Sequence, residues 1–382
     1  MAACLARDGL SRQLLDVVGA RFIGQFKPKG MPMRRREILT GLAGSLLTAC
    51  ASDPYTRSSS PEPARILTPV PPVLVRRERI LKTVVGLRPY RAGGFRLTEE
   101  AAIGKRIIHN YGHAGDGVSL SWGCAEVAAE MAAQGSNGDI AVLGSGVMGL
   151  TTAFILAREG RAVTIYAEDF PPNTTSNIAG ALIIVPENTD ARIARLAHEG
   201  WDRLVDRQGY GVKRVRHHFL GHKGSDPSAE GFLGRYVREQ NSSVMVDPGI
   251  YLNRLVQDAR ALGVKMYTNR FETLADVAAL PEPVVVNCTG LGSGALFSDD
   301  AVTPVRGQLT LLMPQPEIDY TYIAREPGLT SLYMFPRETS IVLGGTRDRG
   351  NWSLDVDPET IETFLSGHGE MASWAGGVSA VA

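Results

Sequence analysis

The sequence has few cysteines and no net charge, and each shortage excludes a class of protein. Four cysteines occur in 382 residues, none in C-x-x-C spacing, so neither a zinc site nor a disulfide framework is indicated. The formal net charge of +0 offers no surface for nucleic acid and no polybasic membrane patch. What remains, 44% hydrophobic and 21% charged residues, is typical of a globular protein with a substantial core.

A run of apolar residues leads directly into a glycine-rich turn in the middle of the chain. Residues 140–143 have the length and composition of a buried strand, and Gly144, Gly146 and Gly149 follow with the spacing G-x-G-x-x-G. Apolar residues then recur at helical spacing, which predicts a helix. The three glycines in turn allow a tight turn, a close approach to a pyrophosphate, and close helix-to-strand packing.

The helix and the strand after this turn complete a dinucleotide-binding pattern. The first N–H groups of the helix, at Val147 and Met148, carry the partial positive charge that attracts phosphate. Glu168 ends the next strand, near where an acid holds the adenosine ribose. The pattern predicts a dinucleotide cofactor, does not distinguish NAD from FAD, and has an ordinary strand-to-helix turn as its alternative.

Residues 31–50 have the layout of a secretory signal. An arginine cluster that includes Arg35 and Arg36 precedes an apolar segment too short to span a bilayer. The arginine pair resembles a twin-arginine signal, and the segment ends in a lipobox-like L-T-A-C, which predicts a lipid anchor at Cys50. A chance hydrophobic helix is the alternative. The signal predicts an exported protein, periplasmic or anchored to the membrane.

The regions around this signal have distinct compositions. We predict that residues 1–30 are a leader without structural importance, because signals begin near the initiator methionine. Residues 51–76 contain a Ser-, Pro- and Thr-rich stretch and are predicted to be a flexible linker. The folded body is expected to span 77–370, followed by a disordered tail at 371–382 that is rich in Ala, Gly and Ser.

A second glycine-rich turn stands before the first one. Residues 107–131 read as a strand, a turn with Gly112, Gly115 and Gly117, and a helix whose small residues suit close packing. This arrangement predicts a second helix N-terminus directed at a ligand. A plain glycine turn explains the pattern equally well.

The residues around this second turn resemble the closing segments of the D-amino-acid oxidase family, FAD enzymes that oxidatively deaminate D-amino acids. The resemblance covers about 77–366, but its order is altered. Residues 77–133 correspond to the family's C-terminal segment, and 139–366 to its N-terminal and middle segments, which implies a circular permutation. The motifs are G-L-R-P-Y-R at 86–91, H-N-Y-G-H-A-G-D-G at 109–117, Y-A-E-D-F-P-P-N-T-T-S-N-I-A-G at 166–180, V-V-V-N-C-T-G at 284–290, R-G-Q at 306–308 and L-G-G-T-R-D-R-G-N-W at 343–352.

The resemblance implies a fold, a cofactor and a reaction. The fold would be α/β, with a Rossmann-like FAD-binding domain and an interleaved antiparallel-sheet substrate domain. The reaction would convert a D-amino acid and oxygen to a 2-keto acid, ammonia and hydrogen peroxide. Two alternatives remain: a flavin enzyme acting on glycine-like or N-methyl amino acids, and a non-catalytic flavin-binding lipoprotein.

The resemblance also assigns site residues. Arg88 would hold the substrate carboxylate with Tyr333, and the Gly115 carbonyl would receive the substrate amine. The sequence without the resemblance favours a surface or structural arginine at Arg88, and for Tyr333 the alternative is a strand aromatic in a core. His109 and His113 are interpreted as structural, and neutral D-amino acids are favoured over D-aspartate. The further cofactor contacts implied are Thr174, Thr175, Ser176, Phe271, Ala114, Gly115, Asp116, Gly117 and Ser119.

Two departures from the family's pattern fall near these positions. Ala114 and Asp116 replace a glycine and an aromatic residue, and Ile183-Ile184 stand where the family usually has Trp-Gln. They affect the expectation about substrate more than the expectation about FAD.

Overall fold

The computed structural model describes residues 70–135, 137–222, 235–324 and 332–375. Every helix within these ranges falls short of the length or the apolar character that a bilayer crossing requires. The strands are β1 (Ile80–Arg91), β2 (Arg96–Ala102), β3 (Lys105–Tyr111), β4 (Ile140–Leu143), β5 (Val163–Ala167), β6 (Leu182–Ile183), β7 (Val212–His222), β8 (Arg235–Val246), β9 (Lys265–Thr268), β10 (Val284–Asn287), β11 (Val302–Leu312), β12 (Tyr320–Ala324), β13 (Leu332–Pro336), β14 (Ile341–Gly344) and β15 (Asp348–Arg349). The helices are α1 (Gly117–Ala133), α2 (Val147–Arg158), α3 (Thr175–Ile178), α4 (Ala191–Asp202), α5 (Pro248–Ala261), α6 (Leu274–Ala278), α7 (Gly292–Leu296) and α8 (Pro358–Ala375).

The smaller sheet is mostly parallel and has the strand order β2-β3-β10-β4-β5-β9. Only the pair β2 and β3 runs antiparallel. Strands β4 and β10 are buried along their whole length, as expected for a parallel sheet covered on both faces. Because β3 stands before the G-x-G-x-x-G turn in the chain and pairs with β10 beyond it, both parts of the chain build one sheet.

The larger sheet has the strand order β1-β11-β14-β13-β12-β7-β8-β6, with β15 paired to β11. Its neighbours run antiparallel except for the parallel pair β12 and β7. The long pairing of β1 with β11 sets Gly86 opposite Gly307 and Arg88 opposite Val305. The chain enters each sheet more than once, so the predicted α/β fold with an interleaved antiparallel sheet is confirmed.

Helix α1 packs tightly along the part from Gly123 to Ala132, where most of its buried residues are small. A Cβ atom on Gly123 would lie 2.2 Å from the carbonyl oxygen of Ile193, so α1 and α4 approach as closely as glycine permits. The helix joins α2 and strands of the smaller sheet in one core cluster. Its fully buried alanines are Ala125, Ala128, Ala129 and Ala132.

The folded body begins earlier than the sequence predicted. Val70 and Val73 are buried in a cluster of the larger sheet, and the Tyr320 hydroxyl donates to the Pro71 carbonyl at 2.8 Å. The prediction of a flexible linker over 51–76 is therefore wrong for residues 70–76. Apolar side chains that follow the Pro-rich stretch are buried here, which composition alone did not reveal.

The body also ends later than predicted. Helix α8 continues to Ala375, and Met371 and Ala372 are buried against the larger sheet. The prediction of a disordered tail at 371–382 is therefore wrong for 371–375, because tertiary burial outweighs the low-complexity composition. The predictions for residues 1–30, the signal at 31–50 with Cys50, residues 51–69 and residues 376–382 lie outside the described residues.

Candidate functional site

A cavity of about 690 Å³ lies where the parallel strands end. Its walls are the loops after β3, β4, β5 and β10, together with residues of β1 and β11 from the larger sheet. Loops at the carboxyl ends of parallel strands are the usual place for a ligand in such sheets. Both glycine turns reach this cavity from different directions, as the sequence predicted.

The G-x-G-x-x-G turn brings backbone to the cavity wall. Gly144 has φ +97°, and a Cβ on it would lie 2.5 Å from the carbonyl oxygen of Cys288, so only glycine fits the turn. Gly146 lines the cavity at the start of α2 and has no side chain of its own to fill it. Gly149 does not line it: a Cβ there would lie 2.0 Å from the Gly144 carbonyl oxygen. The helix-to-strand packing predicted for Gly149 is therefore present, and a cofactor contact of Gly149 stays a prediction.

The N-terminus of α2 is partly occupied by a side chain of this protein. The Val147 N–H donates to the Ser176 hydroxyl at 3.0 Å. Met148 also lines the cavity, and no side chain of the described residues accepts from its N–H. Since a hydroxyl that accepts one hydrogen bond still has a proton to donate, Ser176 extends the donor group of the helix into the cavity. The sequence identified both residues but not the bond that joins them.

Thr174, Thr175 and Ser176 form the start of α3 and all line the cavity. The Thr174 hydroxyl is buried and donates to the Asn177 side-chain oxygen at 2.8 Å, which fixes the start of this short helix. The predicted hydroxyl run is therefore brought to the cavity as a group.

Glu168 and Phe271 line the cavity together, although a hundred residues separate them in the chain. The Glu168 carboxylate accepts from Arg270 at 2.9 Å, and both side chains are exposed. Phe271 meets the ring of Tyr166 edge to face at 6.1 Å. An acid and an aromatic wall in one place match the expected ribose and adenine end of a dinucleotide.

The second glycine turn joins the cavity next to β1. Ala114 adopts φ +52° and its N–H donates to the Pro89 carbonyl at 2.7 Å, which ties the turn to β1. The Ser119 hydroxyl accepts from the Ile184 N–H at 3.0 Å. Four of the five predicted residues line the cavity, namely Ala114, Gly115, Gly117 and Ser119. Asp116 does not line it; desolvation raises the pKa of its carboxyl, and the nearby Arg347 opposes that rise.

Arg88 is a cavity residue whose guanidinium has no acidic partner within the described ranges. Its Nη1 donates to the Thr346 carbonyl at 3.1 Å, and the side chain extends over Gly307, where a Cβ would lie 2.3 Å from Nη1. A Cβ on Gly115 would lie 3.7 Å from Arg88 Cδ. The register of β1 with β11 and the lack of side chains at Gly307 and Gly115 therefore place the Arg88 guanidinium at the cavity wall. This position argues against the alternative that Arg88 is a surface arginine.

Tyr333 lies beside Arg88 but is not among the residues that line the cavity. Its ring packs on Gly344 and Gly345 and stacks on Phe335 at 4.6 Å. Burial raises the pKa of the Tyr333 hydroxyl, and the Arg88 guanidinium counteracts the rise. The tyrosine is thus both a core aromatic and a neighbour of the predicted carboxylate clamp.

The two histidines near the second turn are buried. His113 lines the cavity and stacks on Phe95 at 4.6 Å, and burial lowers its pKa to about 3. His109 lies 3.1 Å from the Asn287 amide nitrogen and 3.1 Å from Glu100, and burial lowers its pKa. This environment is that of structural side chains.

One residue near the site was missed by sequence reasoning. Arg347 is exposed, follows Thr346 directly, and lies close enough to Tyr333 and Asp116 to shift the pKa of each. Among the described residues it has no hydrogen-bonded or ion-paired partner. The signal was present in the sequence, because Arg347 belongs to the motif at 343–352, but only the fold shows that this motif turns back to Arg88.

The model of the family DAO, FAD dependent oxidoreductase, matches residues 139–244 and 226–371 of this chain. A D-amino-acid oxidase of Streptomyces coelicolor is 32% identical over 248 residues, which are 60% of this chain and 76% of the relative. A D-aspartate oxidase of Homo sapiens is 30% identical over 256 residues, 59% of this chain and 74% of the relative. The glycine oxidase structure from Geobacillus kaustophilus aligns with a TM-score of 0.49 and 17% identity, over 60% of this chain and 76% of that one.

Proposed function

The chain belongs to the DAO family of FAD-dependent oxidoreductases, and we propose that it is an oxidase of D-amino acids. The proposed reaction takes a D-amino acid, oxygen and water to a 2-keto acid, ammonia and hydrogen peroxide. The observation that carries the proposal is the Arg88 guanidinium, which reaches the cavity with no acidic partner in the described chain. A carboxylate is the ligand that such a planar cation binds best.

The residues of the cavity fit FAD. Two helices, α1 and α2, begin at its wall, and each starts at a glycine, Gly117 and Gly146, that lines the cavity without a side chain of its own. The Met148 backbone N–H and the Ser176 hydroxyl would donate hydrogen bonds to the pyrophosphate. The Glu168 carboxylate would accept a hydrogen bond from a ribose hydroxyl. When bound, FAD supplies the two-electron acceptor for the substrate.

This chain's residues would fix the substrate at both ends of its Cα atom. Arg88 would hold the carboxylate, with the neighbouring Tyr333 hydroxyl as a second donor, and the Gly115 carbonyl would accept an N–H of the amine. Anchors at both groups leave Cα little freedom, which is how positioning lowers a barrier. The burial of His109 and His113 supports a mechanism in which neither acts as a base.

Arg347 favours a second candidate, an oxidase of D-amino acids with acidic side chains. It is exposed, lies close enough to Tyr333 and Asp116 to influence the pKa of each, and has no ion-pair partner in the part of the chain that is described. A substrate held by Arg88 could extend a second carboxylate to it. This proposal departs from the preference for neutral substrates that the motifs suggested, and a relative named D-aspartate oxidase is consistent with it.

The assay that tests both candidates is peroxide release with a panel of D-amino acids. Peroxide with D-alanine and D-aspartate supports the oxidase, whereas turnover only with an artificial acceptor and N-methyl amino acids favours the alternative enzyme. No turnover with any of them leaves a flavin-binding lipoprotein. Arg347→Met should lower kcat/KM for D-aspartate by about tenfold or more relative to D-alanine. Arg349→Met, which removes an exposed cation stacked on Tyr90, is the control.

We also propose that the chain is a circular permutant of its family. The family model begins to match at Asp139, and β1 and β3 stand before that point. Both strands nevertheless pair with strands inside the matched region, β1 with β11 and β3 with β10. The residues 133–138 would join the family's original ends, which suits a surface link.

A twin-arginine signal, a lipid anchor at Cys50 and export to the periplasm or membrane complete the proposal. The sequence of 31–50 is its support.

A further inference from the structure

A buried histidine of α8 reaches the segment that supports the carboxylate clamp. His368 is fully buried, with Nδ1 2.7 Å from the Tyr322 hydroxyl and Nε2 3.1 Å from the Gly344 carbonyl oxygen. A carbonyl cannot donate, so Nε2 carries the proton, and Nδ1 then accepts from Tyr322. Burial lowers the pKa of His368 to about 4, which keeps the ring in this neutral tautomer near pH 7.

The segment Gly344–Gly345–Thr346 lies between His368 and the clamp. The ring of Tyr333 packs on both glycines: a Cβ on Gly344 would lie 2.4 Å from it, and one on Gly345 2.3 Å. The Thr346 carbonyl accepts from Arg88 Nη1 at 3.1 Å. The support that holds Arg88 and Tyr333 is thus bonded to α8 from its other side.

The Thr346 end of this segment is held separately, by a hydrogen bond from β11. The Thr346 hydroxyl accepts from the Gln308 N–H at 2.8 Å, which ties the segment to β11. Gln308 holds only the Thr346 end of the segment. The position of the Gly344 end therefore depends on the hydrogen bond from His368 and on the pairing of β14. Two successive glycines have no side chains to hold them, so this bond limits the freedom of the backbone under Tyr333.

We propose that His368 is a positioning residue for carboxylate binding: through Gly344 it holds the backbone that orients Tyr333 and Arg88. The proposal rests on the proposed function, since it assumes that Arg88 binds a substrate carboxylate. A merely structural role would be to dock α8 on the larger sheet, and that role predicts lower stability with unchanged carboxylate affinity.

The test compares two substitutions of His368, one that keeps the hydrogen bond to Gly344 and one that keeps only the hydrogen bond with Tyr322. His368→Gln keeps a donor at the reach of Nε2, whereas His368→Asn keeps a polar group near Tyr322 but does not reach Gly344. The probe is benzoate, a carboxylate without an amine, titrated by the change in flavin absorbance of the FAD-loaded protein. Met371→Ala, which removes buried apolar contacts of the same helix one turn later, is the control for docking.

We expect His368→Asn to weaken benzoate binding about tenfold and to raise KM for a D-amino acid about as much, with kcat changed less, because the clamp is used in both ground and transition states. His368→Gln should stay within about threefold of native, and Met371→Ala should lower Tm without this loss of affinity. Native affinity in His368→Asn, or an equal loss in Met371→Ala, would overturn the proposal.

Failure of the proposed function and misfolding of a variant can each be distinguished from failure of the His368 proposal. If native protein binds FAD and benzoate but oxidises no D-amino acid, the proposed function fails while the benzoate comparison still decides the role of His368. If His368→Asn does not fold, Tyr322→Phe is used instead. That change removes the hydroxyl that donates to His368 Nδ1 and fixes the imidazole ring, and it leaves His368 itself in place. It should weaken benzoate binding about threefold or more at unchanged flavin content, and native affinity there counts against the proposal.

Discussion

Replacing Arg88 by alanine is the most direct test of the site. The guanidinium is half-buried, donates a hydrogen bond to the Thr346 carbonyl, lies beside the Tyr333 hydroxyl, and otherwise faces a cavity in which the described residues give it no carboxylate. In the proposed complex its partner is therefore the substrate. Loss of one member of a desolvated, hydrogen-bonded charge pair costs about 2 to 5 kcal/mol.

That range converts to a kinetic expectation. At about 1.4 kcal/mol per decade, kcat/KM for D-amino acids should fall by about 30-fold to several thousand-fold in Arg88→Ala. FAD should remain bound, because the proposed pyrophosphate and ribose contacts lie in other loops. Arg88→Lys should recover only part of the activity, since an ammonium keeps the charge but loses the planar two-point fork and its fit over Gly307.

The assay is peroxide release at several substrate concentrations, with flavin absorbance recorded on the same samples. Lys82→Ala removes an exposed cation from the same strand and should leave kcat/KM within about twofold, which is the range expected of a surface change. Native efficiency of Arg88→Ala on every D-amino acid that the native enzyme oxidises would show that the carboxylate clamp lies elsewhere.

Three further outcomes are expected. Gly146→Val should yield colourless protein, because the new side chain would lie at the start of α2 on the cavity wall; full flavin absorbance in that variant would contradict the cofactor site. Acid should destabilise the fold: burial lowers the pKa of His368 to about 4 and of His113 to about 3, so the unfolded chain, with a histidine pKa of about 6.5, binds more protons below that pH. The stability that His368 contributes above pH 6.5, about 3 kcal/mol, is lost as pH falls towards 4, and urea unfolding curves that do not change between pH 7 and 5 would exclude this linkage. Arg35→Lys with Arg36→Lys should retain the enzyme in the cytoplasm in a fractionation experiment, and unchanged export would remove the signal hypothesis.

The site depends on contacts between parts of the chain that are distant in sequence. Arg88 comes from β1, its hydrogen-bond acceptor Thr346 follows β14, and Gly307 beneath it belongs to β11. Pairing of β1 with β11 brings all three together. A change in that register by one residue would turn Arg88 to the other face of the sheet, so the strand pairing is part of the clamp.

Local patterns in the sequence were sufficient for a dinucleotide-binding unit, and the resemblance of its motifs to a known family supplied the fold class and FAD. The run at 140–143, the glycine spacing after it and the acid at Glu168 each follow from backbone geometry that a few neighbouring residues set, so they were readable without the fold. The predicted Rossmann-like fold with an interleaved antiparallel sheet is confirmed, and so are the family and its FAD cofactor. The roles of Arg88 and Tyr333 remain predictions.

Only the tertiary structure decided which residues share the cavity and where the body ends. Burial of Val70 and Met371 depends on packing against the larger sheet, and composition contains no record of that packing. The Ser176 bond at the start of α2 and the influence of Arg347 on the pKa of Asp116 likewise connect separate segments of the chain. Such contacts are set by the register and packing of whole strands and helices, which is why no local pattern in this sequence predicted them.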